Sequence, residues 1–251
     1  MKYFEKHPMV MILIGIIGIS MSAILIRFST APSSVTASWR LLWTVILMTP
    51  VTFGKGAVRK ELFSIDRKTA SLSLISGVFL AIHFWFWFES LRLTSVASAS
   101  TIVSTEVIWV SIGCFLFLKG KLSLKAIAAI AVAFVGSGFV AFADSGAGGT
   151  HLTGDLFALL AAMAVAVYML IGRIGRANVS NTVYTYLVYA ACAAGLLLTS
   201  LVQQQGLFDY GYNGILIGLA LAVFSTILGH SVFSWCLKFF SPSFVSASKL
   251  C

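Results

Sequence analysis

Apolar runs of about twenty residues recur along the whole chain, and they restrict its fold more than any other feature. The hydrocarbon core of a bilayer is about 30 Å thick and a helix rises about 1.5 Å per residue, so about 20 apolar residues span it. Eight such runs cover roughly 9–28, 34–54, 70–91, 94–118, 124–143, 153–175, 180–202 and 213–238. A ninth, partial run begins near Ser241. We therefore predict an all-α polytopic membrane protein with eight full transmembrane helices and a partial ninth.

Composition supports a lipid environment. The 251 residues are 59% hydrophobic and 10% charged, with a mean hydropathy of +0.98, whereas soluble domains carry about 25% charged residues. Lys and Arg exceed Asp and Glu by 17 to 8, but they form short clusters between apolar runs, which argues against a nucleic-acid partner. No Walker, HExxH or GxSxG motif and no CxxC spacing occurs. We expect no metal, no cofactor, no ATP hydrolysis and no enzymatic activity.

Loop charges predict the orientation. If the N-terminus is cytoplasmic, the external side holds two basic residues, Arg27 and Arg92, together with Asp144, Asp155 and Asp209. The cytoplasmic side then holds Lys2, Lys6, Lys55, Arg59, Lys60, Arg67, Lys68, Lys119, Lys121, Lys125, Arg173, Arg176 and Lys238. Because positive residues stay on the cytoplasmic side, we predict a multi-pass protein of the plasma (inner) membrane with a cytoplasmic N-terminus.

The chain also matches itself at a constant offset of 146 residues. Arg27 falls on Arg173, and LRLTS (91–95) falls on LKFFS (237–241). Each repeat holds five helices, an odd number, so the second copy is inverted. We assign residues 1–145 to the first repeat and 146–251 to an inverted, incomplete second repeat. Inverted repeats are typical of secondary transporters, whose binding sites lie near the bilayer midplane.

Two segments related by this offset carry a family resemblance. IHFWFWFESLRLTSVASASTIVST (82–105) and GHSVFSWCLKFFSPSFVSASKLC (229–251) resemble the EamA-type transporters of the drug/metabolite transporter superfamily. The resemblance implies a 5+5 inverted-repeat fold and a function among exporters of amino acids and other metabolites. This chain departs from the family pattern at Lys121, where a Gly-Glu step is usual, and in STEVIW, where Pro is usual. The resemblance also implies that the rest of helix nine and all of helix ten are missing, through either fragmentation or a truncated reading frame.

The stretch AIHFWFWFESL (81–91) places polar residues within an aromatic wall. At helical spacing, one stripe contains His83, Trp87 and Ser90, and another contains Trp85, Glu89 and Arg92. We expect the second stripe to anchor the outer end of the helix, with an interfacial Glu89–Arg92 salt bridge. The first stripe either faces a cavity, with Trp87 as a stacking surface, or contains a neutral His83 bonded to a neighbouring helix.

Three charged residues fall at membrane depth. Glu106 lies near the middle of the fourth span, where a carboxylate costs at least about 2.5 kcal/mol, so it is either protonated or paired. Lys249 is a candidate partner for Glu106 or for a substrate carboxylate. Arg40 lies about 9 Å from the outer end of its helix, a depth from which arginine can snorkel to the interface, and it has either a structural role or a role in substrate binding. The resemblance also implies an arginine at this position, because members of that family often have one here.

These residues predict a central substrate site. Its candidate members are Arg40, His83, Trp87, Ser90, Ser98, Thr101, Glu106, Tyr168, His230, Trp235 and Lys249. The favoured function is a transporter, as an exporter, of small polar or amphoteric metabolites such as amino acids, working by alternating access. Two alternatives stay open, a membrane-embedded enzyme acting on a lipid-borne substrate and an inactive fragment. The expected partners are the substrate, the lipid bilayer and, as one option, a second copy in a homodimer.

Overall fold

A computed structural model describes residues 7–119 and 149–250, together with single residues and pairs between 128 and 143. The described residues contain helices and no strands. The helices are α1 (Pro8–Arg27), α2 (Ser33–Gly54), α3 (Gly56–Phe63), α4 (Arg67–Leu93), α5 (Val96–Phe117), α6 (His151–Asn178), α7 (Asn181–Val202), α8 (Gly211–Cys236) and α9 (Pro242–Ala247). A 3₁₀ turn, Ser248–Leu250, follows α9.

Six of these helices are long and apolar enough to cross a membrane, and the bent pair α2–α3 is a seventh candidate. Their ends lie within about three residues of the predicted runs, because hydropathy and span length define them together. The predicted run 124–143 and Lys121 lie outside the described residues. The all-helical fold is therefore as predicted, whereas the count of eight spans and a partial ninth stays a prediction.

The short helix α3 was not predicted. It meets α2 at 103° and buries none of its residues, because Lys55, Arg59 and Lys60 leave it too polar to continue the span. A side-chain contact holds α3 against the bundle. The backbone N–H of Ser180, which caps α7, donates to the Glu61 carboxylate at 2.6 Å.

The middle of the bundle is α4, which packs against α6 and α7, while α2 packs against α7 and α8. Small residues allow these close approaches. An added Cβ at Gly77 on α4 would lie 2.6 Å from the Ala191 Cβ of α7 and closer still to the Val188 carbonyl oxygen. Helices buried between other helices in lipid commonly use such residues.

Four of the described helices begin with a side-chain cap, and two of these caps lie 146 residues apart. Ser95 caps α5 by accepting from the Ser98 N–H, and the corresponding Ser241 caps α9 by accepting from the Phe244 N–H. Asp66 and Ser180 cap α4 and α7 in the same way, as expected for N-cap residues.

The offset also relates two arginine contacts. Arg27 donates to the carbonyl of Thr94, one residue after α4 ends. Its counterpart Arg173 donates to the carbonyl of Leu237, one residue after α8 ends. Each contact gives a hydrogen-bond donor to a carbonyl group at the C-terminus of a helix, where carbonyl groups otherwise have no partner within the helix.

Three helices are irregular along their length. In α1 a turn interrupts the helix at Met21, and in α5 another occupies Ser104 and Thr105. In α8 the segment Ala222–His230 is a π-helix. Hydropathy gives no signal for such interruptions, because they change the backbone and not the polarity. Short π and 3₁₀ segments within helices are frequent at functional sites.

Candidate functional site

A cavity of about 180 Å³ lies beside all three irregular segments. Six helices and the turn after α9 form its wall. The lining comprises Ile19, Ser20, Ser22, Ala23, Arg40, His83, Phe84, Trp87, Ser100, Val103, Ser104, Glu106, His230, Ser246 and Lys249. Most of the ionisable groups that the sequence places at membrane depth therefore meet in one cavity.

Glu106 and Lys249 form an ion pair on this wall. The Lys249 Nζ lies 2.7 Å from the Glu106 Oε1, and the Ser246 hydroxyl donates to the same oxygen at 3.0 Å. Glu106 begins the second half of α5, so the positive end of that helical segment also favours its carboxylate. Of the two partners considered for Lys249, the structure contains Glu106.

Arg40 is the most deeply buried charged residue of the cavity, with no solvent-exposed surface. Its Nε donates to the Thr226 hydroxyl at 2.8 Å, its Nη1 lies 3.4 Å from the Ser22 hydroxyl, and its guanidinium lies 4.1 Å from the Phe84 ring centre. Its Nη2 has no hydrogen-bond partner. Full burial means that Arg40 does not snorkel to the interface.

Two histidines add polar groups to the wall. The His83 Nδ1 lies 2.8 Å from the Ala161 carbonyl oxygen. A carbonyl only accepts, so Nδ1 carries the hydrogen and a neutral ring leaves Nε2 as an acceptor. The rings of His83 and His230 have centres 6.2 Å apart. His83 thus combines both of its predicted alternatives, bonding a neighbouring helix and lining the cavity.

The aromatic wall divides between two surfaces. Trp87 lines the cavity, whereas Trp85 packs against Phe157 with ring centres 6.1 Å apart. The predicted Glu89–Arg92 salt bridge is wrong. Among the described residues the one ion pair is Glu106–Lys249, and Arg92 donates to the Ala31 carbonyl instead. Placing two side chains on one helical stripe does not make them pair when a closer acceptor competes.

The model of the EamA-like transporter family matches residues 7–142 and 152–250. The chain belongs to the EamA-like transporter family. A Bacillus subtilis (strain 168) relative, the uncharacterized transporter YxxF, is 24% identical over 176 residues, which cover 69% of this chain and 56% of the relative. The chain thus spans about half the length of that relative.

One solved structure shares the fold of this EamA-like protein. It is a crystal structure of a protein with a TM-score of 0.65 and 18% sequence identity, covering 96% of this chain and 84% of the other. At that identity the likeness shows the fold alone. The family and the named relative point to a multi-pass membrane transporter rather than an enzyme.

Several predicted site residues of this EamA-like chain lie away from the cavity wall. The Ser90 hydroxyl donates to the Trp87 carbonyl, and the Ser98 hydroxyl donates to the Asp155 carboxylate at 2.8 Å. Tyr168 is buried with its ring centre 6.3 Å from that of His230. Two further residues are only partly buried and outside the lining, namely Thr101 and Trp235.

Other cavity residues of this family member were not predicted, notably Ser100, Ser104 and Ser246. For Ser100 and Ser104 the reason is the turn in α5. The N–H groups of Thr105, Val107 and Ile108 donate to carbonyls three residues back, and this tightening changes the helical phase. If α5 is treated as one regular helix through Glu106, the wrong residues before the turn are therefore predicted to face the cavity.

Proposed function

We propose that the protein exports small polar or amphoteric metabolites, such as amino acids, by alternating access around the central cavity and without ATP hydrolysis. The observation that supports this proposal best is Arg40. A guanidinium without solvent contact and without a carboxylate partner is costly at membrane depth. A substrate carboxylate at the free Nη2 would neutralise it, and Arg–carboxylate pairs are among the strong hydrogen bonds of proteins.

The rest of the wall suits an amphoteric molecule. The His83 Nε2 is a candidate acceptor for an ammonium group, and the Phe84 and Trp87 rings offer apolar surface for a side chain. Sites for drug-sized ligands have volumes of about 300–1,000 Å³, whereas this cavity measures about 180 Å³. A molecule of amino-acid size fits this volume better.

Alternating access requires an arrangement with two states. The Glu106–Lys249 pair joins α5, in the first proposed repeat, to the turn after α9, in the second. Breaking and remaking this pair is our candidate for the switch. The interruptions in α1, α5 and α8 supply flexible points, and broken helices at the binding site are a feature of many transporters.

The test is uptake of a panel of radiolabelled metabolites into proteoliposomes that contain the purified protein. We expect an amino acid or a similar amphoteric compound to be transported. His83→Ala and Trp87→Ala should weaken substrate affinity with little loss of folded protein. Loss of one aromatic contact should cost roughly two- to tenfold in affinity.

Trp85→Ala is the matched control, because this ring packs on α6 outside the cavity lining. It should lower thermal stability and leave the affinity of the remaining folded protein unchanged. The proposal is wrong if no compound of the panel enters faster than into protein-free liposomes. The face assignment is wrong if Trp85→Ala and Trp87→Ala behave alike in both assays.

A further inference from the structure

A second cavity, of about 230 Å³, lies at the end of the bundle where α1 and α4 finish. We propose that it binds the anionic group of a small molecule or lipid, a carboxylate or a phosphate. Two arginines line it, Arg27 at the end of α1 and Arg92 near the end of α4, and its described lining contains no acidic residue. This site is separate from the central cavity and does not depend on the proposed transport function.

Backbone carbonyls hold both arginines without neutralising them. Arg27 Nη2 lies 2.6 Å from the Thr94 carbonyl oxygen, and Arg92 Nη1 lies 3.4 Å from the Ala31 carbonyl oxygen. A guanidinium has five N–H donors, so each retains donors for a ligand. Asp155, which is outside this lining, accepts at Oδ1 from the hydroxyls of Thr94 and Ser98, and its buried Oδ2 has no hydrogen-bond partner.

Uncharged donors meet the arginines at the start of α2. Its N-cap is Pro32, and no side chain caps the helix, so its first N–H groups have no partner within the helix and its dipole favours an anion. Ser33 is an indication of a ligand that is independent of the helix N-terminus. It is only 3% exposed, it lines the cavity, and its hydroxyl has no hydrogen-bond partner. Such a buried hydroxyl is destabilising unless an acceptor reaches it.

The position of the cavity relates it to the central one. Ala23 and Trp87 line the central cavity, while Ile26 and Phe88 line this one. These pairs lie within one turn of each other on the same two helices, a rise of about 5 Å. An anion here would be held within about one helical turn of the central cavity wall by two arginines, one hydroxyl and a helix N-terminus.

The test measures thermal unfolding of the purified chain in an uncharged detergent, with two arms. One compares inorganic phosphate with chloride at equal ionic strength, and the other compares short-chain phosphatidylglycerol with phosphatidylcholine. We expect a rise in the unfolding temperature with phosphate, which indicates a free anion, or with phosphatidylglycerol alone, which indicates a lipid headgroup. Ser33→Ala should weaken the apparent affinity about tenfold, as loss of a hydrogen bond to a charged group does.

Matched variants locate the effect. Arg92→Gln should remove most of the rise, whereas Arg59→Gln, an exposed arginine on α3, should leave it unchanged. Arg40→Gln should also retain it, since that residue lines only the central cavity. The inference is overturned if neither arm shows a rise, or if Ser33→Ala and Arg92→Gln respond like Arg59→Gln.

Discussion

At the scale of single residues, buried charge in this protein is only partly neutralised inside the chain. Glu106 and Lys249 neutralise each other, with side chains 9% and 11% exposed, while Arg40 relies on two hydroxyls and an aromatic ring. Taking paired charges out of water costs several kcal/mol per ion, and leaving one alone costs more. We therefore expect the pair to affect stability, and the missing carboxylate partner of Arg40 is what supports its proposed role in binding.

The ion pair gives a direct prediction. Glu106→Gln removes the carboxylate and leaves the Lys249 ammonium without its partner, so we expect the free energy of unfolding to fall by about 3 kcal/mol. Glu106→Gln combined with Lys249→Met removes both charges and should recover most of this loss. Denaturant unfolding of the single and double variants in detergent measures both values. If the double variant loses as much as the sum of the two single variants, the charges are not coupled.

The sequence indicated that Glu106 is protonated or paired, and it offered Lys249 as a partner for Glu106 or for a substrate carboxylate, because depth along a span is calculable from helix rise. Glu106 and Lys249 both fall near the middle of their spans, and charges at that depth need partners. The Glu89–Arg92 pair failed because exposed charges have several competing acceptors of similar energy. Depth in the membrane is therefore a strong guide to which charged residues form ion pairs, whereas a shared position on a helix surface is a weak one.

At the scale of elements, the described helices approach closely where small residues face one another. On α6, Ala158, Ala162 and Ala166 are all buried. On α4, Gly77 faces the backbone of α7. Boundaries of these helices were predictable because hydropathy and caps define them. The bend before α3 and the π segment of α8 coincide with the tertiary contacts Glu61–Ser180 and Arg40–Thr226, which local sequence does not encode.

The α4–α7 contact is tested with one methyl group. In Gly77→Ala the new Cβ would lie 2.6 Å from the Ala191 Cβ, so the helices must separate. Overpacking of this kind costs typically about 1–3 kcal/mol, and we expect a lower unfolding temperature. Gly54→Ala on α2 is the control, because nothing lies within 4 Å of the added atom. Equal unfolding temperatures for the two variants would mean that α4 and α7 are farther apart than described.

At the scale of the whole molecule, hydrogen bonds determine which connections share an end of the bundle. Glu61, after α2, accepts from Ser180, before α7, so those two connections lie together. At the other end Trp39 of α2 donates to the Leu207 carbonyl, between α7 and α8, at 3.0 Å. This grouping agrees with the positive-inside argument, which assigned the basic connections to one side. The sequence alone does not reveal the contacts, because they join residues far apart in the chain.

The absolute orientation is the last prediction. Reporter fusions after Lys60, Lys121 and Arg176 should read cytoplasmic, and fusions after Gly148 and Gln204 should read external. The reason is the excess of Lys and Arg in the first set of connections, since such residues resist translocation. The Glu61–Ser180 bond requires the Lys60 and Arg176 fusions to agree with each other whatever the orientation. A cytoplasmic signal at Gly148 would contradict both the orientation and the inversion of the second repeat. If the Lys60 and Arg176 fusions disagreed, the packing of α3 against α7 would itself be wrong.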